Sequence, residues 1–199
     1  MCMCILLSMP CPLAMSLDSD KLFHLCDAFS ISCGTVTLDP TQAKMLLIRQ
    51  NKNQEILLPK GRKNIGEALE NAALRETYEE TGFRVTLFPL PIPTLATPEA
   101  AADTYGQLSA VTEPFAVSQR LVHNKLKLIF WFAAKGDSTT APDTGTQQDG
   151  EDFEPIWAEL DSGVKSLTFD DDRQIARAVI DVVSRAGYFT TAKLSGMNP

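Results

Sequence analysis

Three glutamates behind one arginine, Arg75-Glu76-x-x-Glu79-Glu80, form the densest group of chemically capable side chains in the sequence. The pattern around them predicts a helix over 66–81, with Asn64 and Glu67 spaced as a capping box and Gly82 as its stop. On a wheel at about 100° per residue with Glu76 at the origin, Leu69 falls near +20°, Ala72 near −40° and Ala73 near +60°. Glu80 falls at about +40° and Glu79 at about −60°, so the carboxylates prolong the apolar stripe instead of opposing it. Glu76 faces Glu79 and Glu80 as like charges at i,i+3 and i,i+4, each pair costing about 0.2–0.5 kcal/mol. Glu79 and Glu80 also sit at the negative end of the helix dipole, at roughly 0.3–1 kcal/mol each. A chain shaped by folding alone would place Lys or Arg there. Arg75 offsets part of one charge, and a divalent cation would offset more. Clustered carboxylates are hard oxygen ligands suited to Mg2+ or Mn2+, and no His or Cys lies near to favour zinc. The plainer alternative is an exposed, Glu-rich helix end without a ligand.

The loop leading into this helix carries Lys60, Arg62 and Lys63, in a chain whose formal net charge is -7. Gly61 and Gly66 let the backbone approach a ligand closely, and a helix N-terminus favours anions. Metal carboxylates beside a basic loop fit metal-assisted attack on a phosphoryl group, in which the cation activates water and neutralises phosphate charge. Standing alone, the basic cluster would read equally well as a solvated loop.

From Gly61 to Gly82 the sequence resembles the Nudix box, Gly…Glu…Arg-Glu-x-x-Glu-Glu-x-Gly, matching at Gly61, Glu67, Arg75, Glu76, Glu79, Glu80 and Gly82. Thr77 departs from it, standing where the family usually has an aliphatic residue at a packing position. The resemblance implies an α/β/α sandwich with a mixed sheet and hydrolysis of a phosphoanhydride with Mg2+ or Mn2+. Glu76 and Glu80 would be metal ligands, Glu79 a ligand or the general base, Arg75 the residue that orients Glu76, and Glu67 a support for the loop–helix junction. A carbonyl at Lys60 or Gly61 would complete the metal shell.

Leu58-Pro59-Lys60-Gly61 is similar to the lead-in of Nudix enzymes acting on dinucleoside polyphosphates. Those enzymes carry a further Glu six residues before a strand Trp, which here places Glu151 ahead of Trp157, with Asp152 and Glu154 as rivals. Arg49, Lys52, Lys125 and Lys127 would extend a positive rim suited to diphosphoinositol polyphosphates, which related members hydrolyse. Each alone reads as a solvated charge. The expected substrate is one of these two polyphosphate classes. Nucleotide sugars, ADP-ribose or another nucleoside diphosphate, and a non-catalytic nucleotide-binding module, are the alternatives. His123 is left outside the site, and Tyr105 and Phe115 enter only as candidates for base stacking in a long loop. The family resemblance also allows a homodimer.

The elements that must position these groups follow from patterning. Residues 29–39 and 44–49 read as strands split by Asp39-Pro40, and Phe83–Phe88 and Leu126–Ala134 read as two more. Glu55–Leu58 is a short apolar run, and Glu154–Leu160 a short strand. Residues 89–114, rich in Pro, Ala and Thr, form a long loop, and the polar stretch 136–152 a mobile surface loop. A second helix spans 169–186, with Ile175, Ala178, Val179 and Val182 as its inward stripe and Gly187 as its stop. The whole is one mixed α/β domain over 27–189, flanked by a disordered leader over 1–26 and a flexible tail over 190–199.

With 199 residues, 44% hydrophobic and 22% charged, the chain can bury a real core and is not disordered throughout. Its acidity argues against a nucleic-acid duplex or an anionic membrane as partner, and no apolar run approaches the roughly 18 residues of a membrane span. The five cysteines all lie at or before Cys33, a distribution that suits reduced thiols in a cytoplasmic protein. Residues 1–16 would make it secreted if they acted as a signal, but they lack a basic start and are interrupted by Pro10 and Pro12.

Overall fold

The computed structural model describes residues 23–97 and 110–189. The elements run β1 (Phe29–Asp39), β2 (Lys44–Gln50), β3 (Ile56–Leu57), β4 (Lys60–Arg62), α1 (Leu69–Thr81), β5 (Thr86–Leu87), β6 (Ala116–Val122), β7 (Lys125–Lys135), β8 (Phe153–Glu159), α2 (Leu160–Ser166) and α3 (Asp170–Arg185). The two longest strands, β1 and β7, pair in parallel from Phe29↔Leu126 to Leu38↔Lys135. Around them β2 and β4 run antiparallel to β1, β5 and β6 to β7, and β3 and β8 to β2. The sheet is therefore mixed.

Alternation along these strands divides the core into two layers. Val36 and Leu38 of β1, with Ile129 and Trp131 of β7, join Leu160 and Val164 of α2 and Ala176, Val179 and Val183 of α3 in the larger core. Cys33 and Phe132 point the other way and meet Ala72 and Ala73 of α1. Helices thus cover both faces, giving the α/β/α sandwich. Phe115 packs against the larger core and donates its backbone N–H to Trp131 at 2.7 Å, so it is a packing residue and not a stacking platform. Tyr105 lies outside the described residues, as do 1–22 of the expected leader and the tail from 190.

Several boundaries differ from the sequence reading. The first helix begins at Leu69 with Ala68 as its N-cap and no side-chain cap, because Gly66 adopts φ +74° and breaks the helical path. Only half of the capping box forms: Glu67 accepts the Asn64 backbone N–H at 2.8 Å, while Arg75 takes both carboxylate oxygens. Its end is as expected, with Gly82 at φ +73° donating its N–H to the Tyr78 carbonyl. Phe83–Phe88 shrinks to the short β5. Strands β4 and β6 and helix α2 were not foreseen. On α3 the buried stripe is Asp172, Ala176, Val179, Ile180 and Val183, turned from the expected one so that Ile175 and Val182 only flank the core. Asp172 can be buried there because Arg120 of β6 donates to it at 2.7 Å.

Thr77, the residue that departs from the box, is fully buried. Its hydroxyl donates to the Ala73 carbonyl at 2.8 Å and lies 2.7 Å from the Thr35 hydroxyl, which is 2.7 Å from that of Thr37. Since each hydroxyl has one proton, the chain must run Thr37 to Thr35 to Thr77 to carbonyl. A polar seam stitches α1 to β1 where an aliphatic residue would simply pack.

Asp39 closes β1 and is 1% exposed. One carboxylate oxygen accepts from Thr41 and Gln42 and the other from the backbone and hydroxyl of Ser138. Burial raises its pKa, but these hydrogen bonds together outweigh burial and hold it at about 2. The folded value lies below the ordinary one, so this stability is complete above about pH 4 and is lost as pH falls towards 2. Asp39→Asn is expected to cost about 2 kcal/mol at neutral pH and to flatten that acid dependence. Urea unfolding at a series of pH values checks both.

Candidate active site

Strand β4 carries the basic loop onto β1 through the pairs Cys33↔Gly61 and Gly34↔Lys60, and α1 packs on the same strand. This brings Gly61 under Glu76. A Cβ at Gly61 would fall 1.7 Å from Glu76 Oε2, so the carboxylate lies directly against backbone that only glycine leaves open. Gly61→Ala is expected to displace Glu76 and lower kcat about a hundredfold or more, with at most about 2 kcal/mol lost in stability. Steady-state kinetics beside a urea melt separates the two effects.

Arg75 is the hub. Its Nε and Nη2 grip Glu67 at 2.7 and 2.9 Å, and Nη1 reaches Glu76 at 2.6 Å and Glu79 at 2.9 Å. Nη2 also donates to the Arg62 carbonyl at 3.0 Å, tying loop to helix. The sequence reading had Arg75 offset part of one charge; it serves three carboxylates. Its hydrogen bonds are the main cause that holds Glu67 at about 2.

Glu76 and Glu80 are each only 3% exposed. Burial raises the pKa of Glu76 despite Arg75. It pushes Glu80 to about 8, with the Lys60 charge and backbone N–H pulling the other way and Glu76 and Glu151 adding to the rise. Lys60 donates that N–H to Glu80 Oε2 at 2.7 Å. Glu79 is placed differently: its Oε2 accepts from Arg75 and, at 2.9 Å, from Gln148 Nε2.

Glu76, Glu80 and Glu151 line one cavity of about 1000 Å³, together with Lys60, Gly61, Arg62, Lys63, Lys125 and Lys127. Of the three rivals ahead of Trp157 only Glu151 faces it. Asp152 accepts from Asn51 at 2.6 Å, and Glu154 pairs with Arg49 at 2.9 Å. Arg49, expected to bind substrate phosphate, pairs with Glu154 instead and, like Lys52, lies off the cavity lining. Burial, then the neighbouring charges of Lys60 and Arg120, lower Lys127 to about 8, with Glu80 opposing them. Cations and carboxylates thus share one cavity.

Sequence reasoning missed two contributors. His123 lines the cavity mouth because His123 and Asn124 both take positive φ and form the tight turn joining β6 to β7. Asn flanked by strand residues is the signal for such a turn. Gln148 was overlooked inside the loop 136–152, which is tied down: Asp143 donates to the Gly82 carbonyl and Thr146 to the Glu79 carbonyl at 2.9 Å. Its signal was Asp149-Gly150, a turn dipeptide. With Gly150 at φ +89°, the turn brings Gln148 and Glu151 together.

A family model described as NUDIX domain matches residues 29–179, spanning the strands, the box helix and most of α3. The chain belongs to the Nudix family. Solved structures agree on the Nudix fold. A NUDIX hydrolase from Nitrosomonas europaea is 14% identical, with 86% of this chain and 97% of that one covered at a TM-score of 0.51. For a C. elegans Ap4A hydrolase the values are 17%, 78%, 98% and 0.55. For the E. coli dihydroneopterin triphosphate pyrophosphohydrolase they are 14%, 77%, 99% and 0.52. No curated protein matches the sequence. Among the described residues no helix is long and apolar enough to cross a membrane.

Nudix hydrolases generally use divalent metals. Among the described residues no three of His, Cys, Asp and Glu stand ready around one point, and Arg75 holds one oxygen each of Glu76 and Glu79. The donor chemistry nevertheless fits a hard cation: buried carboxylates, raised in pKa by burial and by one another, face a shared cavity beside the backbone of Gly61.

Proposed function

We propose that this Nudix hydrolase cleaves a phosphoanhydride in a long polyphosphate, either a dinucleoside polyphosphate or a diphosphoinositol polyphosphate. The observation that carries this reading is the single cavity in which Glu76, Glu80 and Glu151 face Lys60, Arg62, Lys63, Lys125 and Lys127. Glu76, Glu80 and the Gly61 backbone would hold Mg2+ or Mn2+. Such a cation, when bound, supplies an activated water and neutralises charge on the phosphate oxygens.

The chain's own groups divide the remaining work. Lys60, Arg62, Lys63 and Lys127 bind phosphate oxygens, and a polyanion would favour the charged form of Lys127, which burial and then the charges of Lys60 and Arg120 disfavour. Arg75 fixes Glu76 and Glu79. Glu151 accepts the proton of the attacking water. Glu79 is less suited to that step, because it does not line the cavity and is held by both Arg75 and Gln148, whereas Glu151 lines it and accepts one backbone N–H at 3.0 Å. Five basic side chains exceed what the two phosphates of a nucleotide sugar or ADP-ribose would engage, which supports the longer substrates. The fold likeness to a protein named Ap4A hydrolase agrees with that class.

Product analysis by 31P NMR with Mg2+, on diadenosine polyphosphates, diphosphoinositol polyphosphates, ADP-ribose and nucleotide sugars, tests the reading. One long polyphosphate class is expected to exceed ADP-ribose in kcat/KM by about a hundredfold, the worth of one or two charge-assisted contacts. Preference for ADP-ribose or a nucleotide sugar would overturn the substrate class. Tight calorimetric binding without product would make the chain a binding module.

A further inference from the structure

Gln148 joins two carboxylates by two different groups. Its side-chain Nε2 donates to Glu79 Oε2 at 2.9 Å, and its backbone N–H donates to Glu151 Oε2 at 3.0 Å. The two residues before it are anchored too: Thr146 donates to the Glu79 carbonyl at 2.9 Å, and Gln147 exchanges hydrogen bonds with the backbone of Phe153 at 2.7 and 2.9 Å. The segment therefore fastens the end of α1 to the start of β8 at the height of the cavity that Gln148 itself lines.

We infer that Gln148 is a positioning residue that sets Glu79 and Glu151 at a fixed separation. The inference rests on the proposed hydrolase reading and goes beyond it, because the box contains no residue for this task. The chemistry favours an amide. Glu79 needs a neutral donor: a Lys would draw it from Arg75 and add charge to the site, whereas a Glu would repel both carboxylates. The carboxamide supplies a directed N–H and no charge. With one oxygen held by both Arg75 and Gln148, Glu79 is kept from swinging towards Glu76 and Glu80. Those two then remain free for their own partners. The two links are separable: changing the side chain removes the hold on Glu79 and leaves the backbone bond to Glu151.

The test combines 15N NMR of the full chain with kinetics. The Gln148 carboxamide resonance, identified by its loss in Gln148→Ala, is expected to shift in Glu79→Gln and to stay in place in Asp161→Asn on α2. Gln148→Ala is expected to lower kcat about tenfold with KM unchanged within about twofold, the usual effect of one lost hydrogen bond to a charged group. Gln148→Glu should lose about a hundredfold, because it places a third anion beside Glu79 and Glu151. In the Glu79→Gln background the cost of Gln148→Ala should fall below about twofold. A carboxamide indifferent to Glu79→Gln overturns the inference. So does a Gln148→Ala loss that is equal in both backgrounds or confined to KM. If the unaltered protein cleaves nothing, the hydrolase reading fails, and the NMR arm still decides whether Gln148 holds Glu79.

Discussion

Glu80→Gln is expected to abolish turnover, lowering kcat/KM by about a thousandfold or more, while the metal-free protein becomes more stable. Glu80 is 3% exposed, with a backbone N–H from Lys60 as its direct donor, and burial raises its pKa to about 8 from an ordinary 4.5. A folded value above the unfolded one means that Glu80 favours the fold most at low pH. That contribution is lost as pH rises from about 4.5 through 8. At pH 7 the folded side chain must keep a proton that the unfolded chain would release, which weakens the fold, and a glutamine, which keeps an acceptor for Lys60, relieves on the order of 1–3 kcal/mol. Urea unfolding in chelator should show the variant ahead at pH 7 and level with the unaltered protein at pH 4. A variant that is less stable at both values, or that keeps half its activity, contradicts the account of Glu80.

Arg75→Met should have the opposite sign in stability and the same sign in activity. Arg75 is paired with Glu67, Glu76 and Glu79 together. Its side chain is 22% exposed and that of Glu76 only 4%, so removal leaves partly buried anions without a counter-ion. Breaking such a cluster from one side costs about 3–5 kcal/mol, and the displaced carboxylates should reduce kcat about a thousandfold. Arg75→Lys should recover only part of either, since one ammonium cannot grip both oxygens of Glu67 and also reach Glu76 and Glu79. The acid dependence should change as well. Glu67, held at about 2, contributes stability that is complete above about 4.5 and lost as pH falls; without Arg75 that contribution disappears. A thermal melt within about 2 °C of the unaltered protein would show that Arg75 is not the hub.

The chemistry was legible in this sequence before the architecture was. Glu76 and Glu80 stood out because their charge prolonged an apolar stripe, and the structure buries both. The long strands β1 and β7 could be read because their apolar runs exceed what a loop tolerates. Other features depended on partners far along the chain. Nothing near Leu69 announced that Gly66 would delay the helix, since Arg75 claims Glu67 across eight residues. Strand β6 escaped because it is half-exposed and shows no continuous apolar run. The polar loop 136–152 looked mobile by composition. What ties it down is a set of hydrogen bonds to Asp39, Glu79 and Gly82, which composition does not encode. Charge alone points Arg49 towards the substrate phosphates, yet the β2–β8 register sets it opposite Glu154.

The most direct test of the central claim is 31P NMR of diadenosine tetraphosphate and a diphosphoinositol polyphosphate, each incubated with the unaltered protein and Mg2+. New phosphate end-group resonances are expected from one of them. These should vanish with chelator, and equally with Glu80→Gln, although that variant remains folded. Products that form at the same rate without the cation, or with Glu80→Gln, would contradict the claim that this buried carboxylate cavity performs the hydrolysis.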